Sequence, residues 1–311
     1  MLNELKALIG SVPPNETTFK QKLRFHQGWW RAFVLGEKAG CHPVRKLETI
    51  CNVISGGNTN GKNFLSHTIA DIAHKTATQR NEADSGIIEE DRLFNNLLSS
   101  QPLCFNFFGE LKADKGFALT TLNGLGFELT AVEDVVFEYA PPENYTTDNS
   151  AFDVALRVKR GDKTGLIGLE CKYTDSFSST EYDKPAYRAI FKQSHAFATE
   201  YDKYKTSKYN QLFRNQLIAE ALIQHKKYDF VITGLFCHKD DKAVETGKEF
   251  QNILNEKEQS FKIITYQAFV MAMQKFDITW EQRELSMMLW ARYCATQLSQ
   301  SVYKHVYLSE S

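Results

Sequence analysis

Two carboxylates and one lysine lie in neighbouring apolar segments of this chain, where charged side chains are least expected. Asp153 lies in the segment Phe152–Val158, and Glu170 and Lys172 lie in the segment Gly165–Tyr173. The alternating and continuous apolar residues of both segments are typical of buried strands. A charged side chain in a buried strand is costly unless it is paired or binds a ligand. These three residues are therefore the first candidates for chemistry.

A tight turn between the two segments determines which residues face each other. Gly161 and Asp162 are typical of a two-residue hairpin turn, because glycine readily adopts the positive φ that such turns require. If Arg160 pairs with Lys163, the strands are antiparallel and the two carboxylates lie directly opposite each other. A shift by one residue would move the carboxylates to opposite sides of the hairpin and spoil its apolar pattern.

The predicted register separates an apolar face of the hairpin from a polar face. The apolar face pairs Phe152 with Cys171, Val154 with Leu169, Leu156 with Ile167, and Val158 with Gly165. On the polar face, the small residues Ala155 and Gly168 are neighbours of the carboxylates. This arrangement predicts room for an ion and a phosphate group beside the acidic pair.

Two facing carboxylates repel each other, and a divalent cation between them would offset this repulsion. Mg²⁺ prefers hard oxygen ligands and usually keeps waters and substrate phosphate oxygens in its coordination shell. Such an ion lowers the pKa of its water and polarises a phosphoryl oxygen. Lys172 follows Glu170 by two residues, so it shares the polar face and could orient water and stabilise negative charge.

The order of these residues resembles the PD-(D/E)XK nuclease superfamily, whose members share a restriction-endonuclease-like fold. Asp153 is followed, after sixteen residues, by Glu170-Cys171-Lys172 within an apolar strand. The resemblance implies that Asp153 and Glu170 bind Mg²⁺, for which Mn²⁺ can substitute, and that the carbonyl of Cys171 is a further ligand. It also implies that Lys172 is the catalytic lysine. Phe152 precedes the aspartate in place of the proline in the family's name, which is often absent.

The resemblance covers residues 130–236 and implies an α/β fold with a restriction-endonuclease-like mixed β-sheet flanked by helices. Apolar patterning predicts strands at Val132–Tyr139, Phe152–Val158, Gly165–Tyr173, Phe230–Phe236 and Lys262–Thr265. Helical spacing predicts helices at about 184–200, 208–225, 243–255, 266–275 and 280–299. We therefore divide the chain into a helical N-terminal region, residues 1–129, and a nuclease-like α/β domain, residues 130–311.

The N-terminal region shows helical spacing at about 17–36, 43–54, 62–78 and 86–99. Its last part, Leu97–Gly109, looks like a segment of uncharacterised bacterial proteins that are labelled as candidate restriction endonucleases. The sequence leaves three roles open for residues 1–129: recognition of DNA, binding of a partner, or support of the sheet.

Two more side chains are candidates for the catalytic site by the same resemblance. Family members often add an acidic residue from the first strand or the first core helix, and Glu138 and Glu90 occupy such positions. We prefer Glu138, because its strand precedes the hairpin, although ordinary exposed carboxylates remain the alternative for both. Gln216, on the apolar side of the helix 208–225, could orient water or phosphate, or could be a buried structural amide.

Lysines alternate with tyrosines in residues 201–209, which suggests contact with nucleic acid. Lys203, Lys205 and Lys208 could bind phosphates while the tyrosine rings stack on unpaired bases. Arg214, in the following helix, is a further candidate for a phosphate contact. The alternative is an ordinary solvated surface.

The charge of the chain is divided unevenly along its length. The formal net charge is −1, but residues 81–153 contain fourteen acidic and three basic side chains, so the remainder is net basic. A neutral total argues against a histone-like binder, whereas this division suits a protein with carboxylates for a cation and basic flanks for phosphate.

We therefore expect a Mg²⁺-dependent DNA endonuclease of a bacterial restriction, defence or repair type. Analogy with enzymes that cut both strands suggests a homodimer. Dispersed cysteines, no signal-peptide pattern and no apolar run of membrane length predict a cytoplasmic protein without membrane contact.

Two other functions remain open from the sequence. One is a non-catalytic nucleic-acid-binding or interaction module on the same fold. The other is nucleotide binding by Gly56–Asn63, which matches the P-loop pattern up to Lys62 but has Asn63 in place of the hydroxyl residue that contacts Mg²⁺.

Overall fold

A five-stranded mixed sheet forms the centre of the computed structural model, which describes residues 2–13, 16–42, 48–78 and 88–307. The strands are β1 (Ala131–Tyr139), β2 (Phe152–Arg160), β3 (Lys163–Lys172), β4 (Phe230–Cys237) and β5 (Phe261–Thr265). They lie side by side in chain order; β1, β2 and β3 are antiparallel, whereas β3, β4 and β5 are parallel. The predicted α/β fold with a mixed sheet is therefore confirmed.

Helices surround this sheet on both faces. In the described part of the chain they are α1 (Leu2–Ile9), α2 (Thr18–Trp29), α3 (Gly57–Asn60), α4 (His67–Thr78), α5 (Glu90–Asn95), α6 (Ser100–Ala113), α7 (Lys115–Gly124), α8 (Pro185–Gln193), α9 (Tyr201–Tyr204), α10 (Asn210–Gln224), α11 (Ala243–Asn252), α12 (Tyr266–Gln274), α13 (Trp280–Leu289) and α14 (Gln300–Tyr307). Short π-helical segments follow α2 and α13, at Trp30–Val34 and Trp290–Cys294, and 3₁₀ turns lie at Lys257–Gln259 and Thr296–Ser299. None of the described helices is long and apolar enough to cross a membrane.

The β2–β3 hairpin has the register that its turn residues predict. Arg160 pairs with Lys163, and the pairing continues without interruption to Val154 and Leu169. Gly161 has φ of 57°, the left-handed conformation that costs glycine little and other residues more.

Beyond Val154 the hairpin departs from the predicted alternation of faces. Val154 packs in the cluster of apolar side chains under α6, whereas Phe152 packs in another cluster with Ala155 and Leu166. The Phe152 ring covers Gly168 so closely that a Cβ atom there would lie 2.6 Å from it. The prediction that Phe152 faces Cys171 is therefore wrong, and the space expected beside Gly168 is filled by an aromatic ring.

The neighbouring strand β1 changes face at the matching place. Val135 and Phe137 pack under α6, whereas Tyr139 joins Phe152 on the other side of the sheet. Between them Glu138 has a positive φ of 50°, which is uncommon for a residue with a side chain. Both strands thus bend at their acidic residues, Glu138 and Asp153.

One face of the sheet is covered by α6, α7 and α12, and sequence patterning missed the first two. Phe107 and Phe108 of α6 contact Phe236 of β4, with ring centroids 4.9 and 5.2 Å apart. These buried rings belong to the largest apolar cluster, which also contains residues of β1, β2 and β3. The core therefore joins residues on both sides of the predicted boundary at residue 129. Because α6 is buried nearly all round, it lacks the apolar stripe of an amphipathic helix.

Two N-terminal predictions need correction. The predicted helix 43–54 lies partly outside the described residues, and its described part contains β-bridges from Cys41 to Thr49 and from Val53 to Asn96. The predicted helix 86–99 also begins outside the described residues and ends at Asn95. In both places long-range contacts decide the backbone conformation, which local spacing cannot reveal.

The P-loop-like segment is anchored to the interior at two residues, Gly57 and Asn63, whereas most of the residues between them are exposed. The described residues place no strand before it, and Gly57 approaches the backbone of Phe94 so closely that a Cβ would lie 1.9 Å from its carbonyl oxygen. Asn63 is buried, and its Oδ1 accepts a hydrogen bond of 2.6 Å from Arg292. This geometry differs from the strand–loop–helix arrangement that binds nucleotide phosphates.

Candidate active site

A cavity of about 390 Å³ opens where β2 and β3 separate beyond the last pair of their ladder. Asp153, Glu170, Cys171 and Lys172 all line it. The sequence predicted these four residues as a group, and the structure brings them together at one cavity.

Glu170 is held by amide side chains from helix α10. Its Oε1 accepts a hydrogen bond from Gln211 Nε2 at 2.5 Å, and its Oε2 accepts one from Asn215 Nδ2 at 3.0 Å. Lys172 Nζ lies 3.1 Å from Oε1. Because Glu170 is only 4% exposed, these donors supply the stabilisation that water would otherwise give to a carboxylate. The helix thereby fixes the orientation of the carboxylate.

Lys172 is also buried and has a fixed position. Its Nζ donates a hydrogen bond of 2.8 Å to Gln211 Oε1 and lies 5.0 Å from the centre of the Phe177 ring. Burial alone would lower the pKa of Lys172, but the negative charges of Glu170 and Asp153 raise it above its ordinary value. Lys172 is therefore protonated at neutral pH, so it can stabilise negative charge but cannot accept a proton.

Asp153 differs from Glu170 in having few partners. Its Oδ2 accepts a hydrogen bond of 2.6 Å from the backbone N–H of Cys171. Burial, followed by the charges of Glu170 and Glu138, raises the pKa of Asp153 well above its ordinary value. A carboxylate in such surroundings is stabilised by a cation.

The donor atoms at this place fit a divalent cation. Asp153 and Glu170 supply carboxylate oxygens. The N–H of Cys171 points towards β2, and the carbonyl of the same residue in a strand points to the same side. Since the β2–β3 ladder has ended there, this carbonyl faces the opening between the strands. The three oxygens are of the kind that Mg²⁺ binds.

Glu138 lies beside this group, at the bend in β1. Its Oε1 accepts a hydrogen bond of 3.1 Å from Gln101 Nε2 of α6, and its charge contributes to the raised pKa of Asp153. Glu90, the other acidic candidate, is exposed at the start of α5. Of the two, Glu138 is the one whose charge acts on Asp153.

The structure does not bring Gln216 into the cavity. This side chain is fully buried; its Nε2 donates to Glu220 Oε1 at 3.0 Å, and its Oε1 accepts from Thr233 Oγ1 at 2.6 Å. Gln216 is therefore a buried structural amide, which was the alternative that the sequence left open for this residue. The amides that contact Glu170 are those of Gln211 and Asn215, which sequence reasoning missed. Their spacing of four residues, which puts both on one helix face, was the available indication.

The basic residues predicted to contact nucleic acid differ in their exposure and in the ion pairs that they form. Lys203 is exposed. Lys205 forms ion pairs with Asp202 and Asp183, at 3.0 and 3.6 Å, and Lys208 pairs with Glu249. Each of these lysines remains at the surface, where exposed ion pairs contribute little and exchange readily.

Arg214 and the tyrosines of this segment have structural partners instead. Arg214 Nε donates to Asp148 Oδ2 at 2.9 Å and to Ser150 Oγ at 2.7 Å, which ties α10 to the loop before β2. Tyr201 and Tyr204 are buried in an apolar cluster. The prediction that these two rings stack on bases is therefore wrong, because their faces are covered by the protein.

Five cavity residues come from the N-terminal region, and sequence reasoning missed all of them: Arg92, Asn96, Leu98, Ser99 and Ser100. Arg92 Nη2 lies 3.7 Å from Asp175 Oδ2, which lines the cavity from the loop after β3. The available indication was that Arg92 is one of only three basic residues in the acidic stretch 81–153.

The raised pKa of Asp153 predicts how its replacement changes stability with pH. Its contribution to folding is fully present below its ordinary pKa of 3.8 and is lost as the pH rises through the raised pKa of the folded state. In EDTA, Asp153→Asn is therefore expected to melt about 2 °C or more above the wild type at pH 8. This difference should close as the pH is lowered towards 4.

Thermal melts across this pH range, with Asp162→Asn as the control, check the prediction. Asp162 is exposed at the hairpin turn, so its replacement removes a carboxylate without altering a buried one. A stability difference for Asp153→Asn that is the same at every pH would contradict the account.

Comparison with known proteins adds one finding to this geometry. The family model of the PD-(D/E)XK nuclease superfamily matches residues 14–295, which include helices α2 to α7 as well as the hairpin. No curated protein and no solved structure matches the chain. The family match thus extends well beyond the segment 130–236 that carries the resemblance in the sequence. The chain belongs to the PD-(D/E)XK nuclease superfamily.

Proposed function

We propose that the protein is a Mg²⁺-dependent endonuclease that hydrolyses phosphodiester bonds in DNA. The observation that carries this proposal is the meeting of Asp153, Glu170, Cys171 and Lys172 at one open cavity. Membership of a nuclease superfamily supports hydrolysis as the reaction.

Asp153, Glu170 and the carbonyl of Cys171 are the groups that would hold Mg²⁺. When bound, this ion would lower the pKa of a water molecule and polarise the scissile phosphate. Glu138 would add negative charge next to Asp153 and so favour the binding of a cation.

Lys172 would stabilise the negative charge that develops on the phosphate. Its ammonium group is fixed by Glu170 and Gln211, so it needs little reorganisation when charge develops. Gln211 and Asn215 act as positioning residues, because they contact Glu170 and, in the case of Gln211, Lys172 as well.

Arg92 would bind a phosphate of the substrate backbone. In the free protein its guanidinium lies near the carboxylates of Asp175 and Glu89, at 3.7 and 3.8 Å. A phosphate that enters the cavity can replace Asp175, because a guanidinium forms strong paired hydrogen bonds with phosphate oxygens. The surface lysines Lys203, Lys205 and Lys208 would extend this contact along the backbone.

The setting of the reaction is part of the proposal. The resemblance to restriction-endonuclease-like proteins is the basis on which we propose a role in restriction, defence or repair in the cytoplasm of a bacterium. Cleavage of both strands at one place needs two sites, which supports a homodimer.

Cleavage assays with supercoiled plasmid, linear duplex and single strands test the catalytic proposal. The wild type is expected to cut DNA with Mg²⁺ or Mn²⁺ and to be inactive in EDTA. Asp153→Ala, Glu170→Ala and Lys172→Ala should each lower the rate about 10²-fold or more, because each removes a group that holds the metal or stabilises the phosphate.

Lys163→Ala is the matched control, since Lys163 is an exposed lysine on the same strand as Lys172. Its rate should equal that of the wild type. DNA binding without cleavage by any of the proteins would instead favour a non-catalytic module on this fold. Cleavage that survives all three substitutions would refute the site assignment.

The proposed phosphate contact predicts opposite effects for the two members of one ion pair. Arg92→Ala is expected to weaken binding of duplex DNA. It should also make the slope of log affinity against log salt concentration shallower by about one, because one phosphate contact is lost. Asp175→Asn should strengthen binding, because it removes the carboxylate that competes with phosphate. Fluorescence anisotropy at several salt concentrations, in EDTA to prevent cleavage, measures both; equal salt slopes in all variants would count against the contact.

A further inference from the structure

Two thiols and one carboxylate converge at the inner wall of the cavity. The Sγ atoms of Cys104 and Cys171 and a carboxylate oxygen of Asp153 all lie within 4.8 Å of one another. The cavity reaches Asp153 and Cys171, whereas Cys104 lies behind them and is 3% exposed. The proposed nuclease reaction uses neither thiol.

Three different elements bring these side chains together. Cys104 lies in α6, which packs on the sheet, and Cys171 points towards α6 because it alternates with Glu170 along β3. Asp153 lies at the bend in β2 and accepts a hydrogen bond from the N–H of Cys171, so its carboxylate lies beside that residue.

The ligand types distinguish this group from the magnesium site. Zn²⁺ binds thiolates and carboxylates in a tetrahedral arrangement, and a site with three protein ligands leaves one position for water. Metal–sulfur distances near 2.3 Å place tetrahedral ligand atoms about 3.5–4 Å apart, so three atoms within 4.8 Å need only small movements to close on the ion. Mg²⁺ prefers six oxygens and gains nothing from thiols.

We propose that Cys104, Cys171 and Asp153 bind one Zn²⁺ ion, and that Zn²⁺ bound there inhibits the nuclease by taking Asp153 away from Mg²⁺. The inhibition rests on the proposed function, whereas the binding does not. On binding, each thiol releases one proton and Asp153 contributes its carboxylate. The ion is therefore coordinated by two thiolates and one carboxylate, all negatively charged. The positive charge of Lys172, which acts on Asp153, partly offsets the remaining negative charge.

Titration with Cd²⁺ tests the binding directly, because cadmium takes the same ligands and gives an ultraviolet thiolate-to-metal absorption band. The metal-free wild type is expected to show a band that saturates at one Cd²⁺ per chain, and excess Zn²⁺ should abolish it. Cys104→Ala and Cys104→Ser should each lose this band. Cys51→Ala, which removes another fully buried thiol, should retain it.

Circular dichroism shows which variants are folded. If Cys104→Ala does not fold, the test uses Cys104→Ser. A band that is absent in the wild type, or unchanged in a folded Cys104 variant, overturns the proposed zinc site.

Inhibition is measured separately in cleavage reactions that contain Mg²⁺ and increasing Zn²⁺. The Cys104 variants should keep the Mg²⁺-dependent rate of the wild type and need about tenfold or more Zn²⁺ for half inhibition. Equal sensitivity of wild type and variants overturns the inhibitory role. A protein that binds Cd²⁺ through Cys104 but cuts no DNA would refute the proposed function and leave the metal site standing.

Discussion

The buried ion pair between Glu170 and Lys172 is the constraint on which the rest of the site depends. Two charges removed from water are stable only if further hydrogen bonds satisfy them. Here helix α10 supplies these bonds, through Gln211 to both members of the pair and through Asn215 to Glu170. The helix must therefore pack against this face of the sheet, and the contact of Arg214 with Asp148 ties it to the loop before β2. The charged residues of an otherwise apolar strand thereby specify where a neighbouring helix lies.

The second constraint is the bend that β1 and β2 share at Glu138 and Asp153. Without it, Asp153 would lie over Gly168, where the Phe152 ring now packs. With it, Asp153 turns to the end of the ladder and lies near the backbone N–H of Cys171 and the thiol of Cys104. Glu138 has φ of 50°, a conformation that costs energy for any residue other than glycine. The bend thus places an incompletely paired carboxylate in the wall of a cavity, which favours cation binding at the expense of stability.

The sequence was informative where local pattern and chemistry agree. The turn at Gly161 and the alternation of apolar residues predicted the hairpin register from Val154 to Lys163, and the spacing of Asp153, Glu170 and Lys172 predicted their meeting. It was uninformative where long-range packing decides. Phe152 changed face because its ring fills the space above Gly168, and Gln211 rather than Gln216 reached Glu170 because of how α10 is rotated on the sheet. Helix α6, buried on nearly all sides, carries no periodic signal, so the contribution of the N-terminal region to the site could not be foreseen.

We propose that Asp153, Glu170 and the Cys171 carbonyl surround a single divalent cation within reach of Lys172. Anomalous X-ray diffraction from crystals soaked in Mn²⁺ tests it most directly, because Mn²⁺ takes the same oxygen ligands as Mg²⁺ and its position is visible without reference to activity. We expect one strong anomalous peak between the carboxylates of Asp153 and Glu170, and we expect this peak to be lost in Asp153→Ala. A peak elsewhere in the protein would contradict this arrangement. So would the absence of any peak in DNA-free crystals in which solvent reaches the cavity.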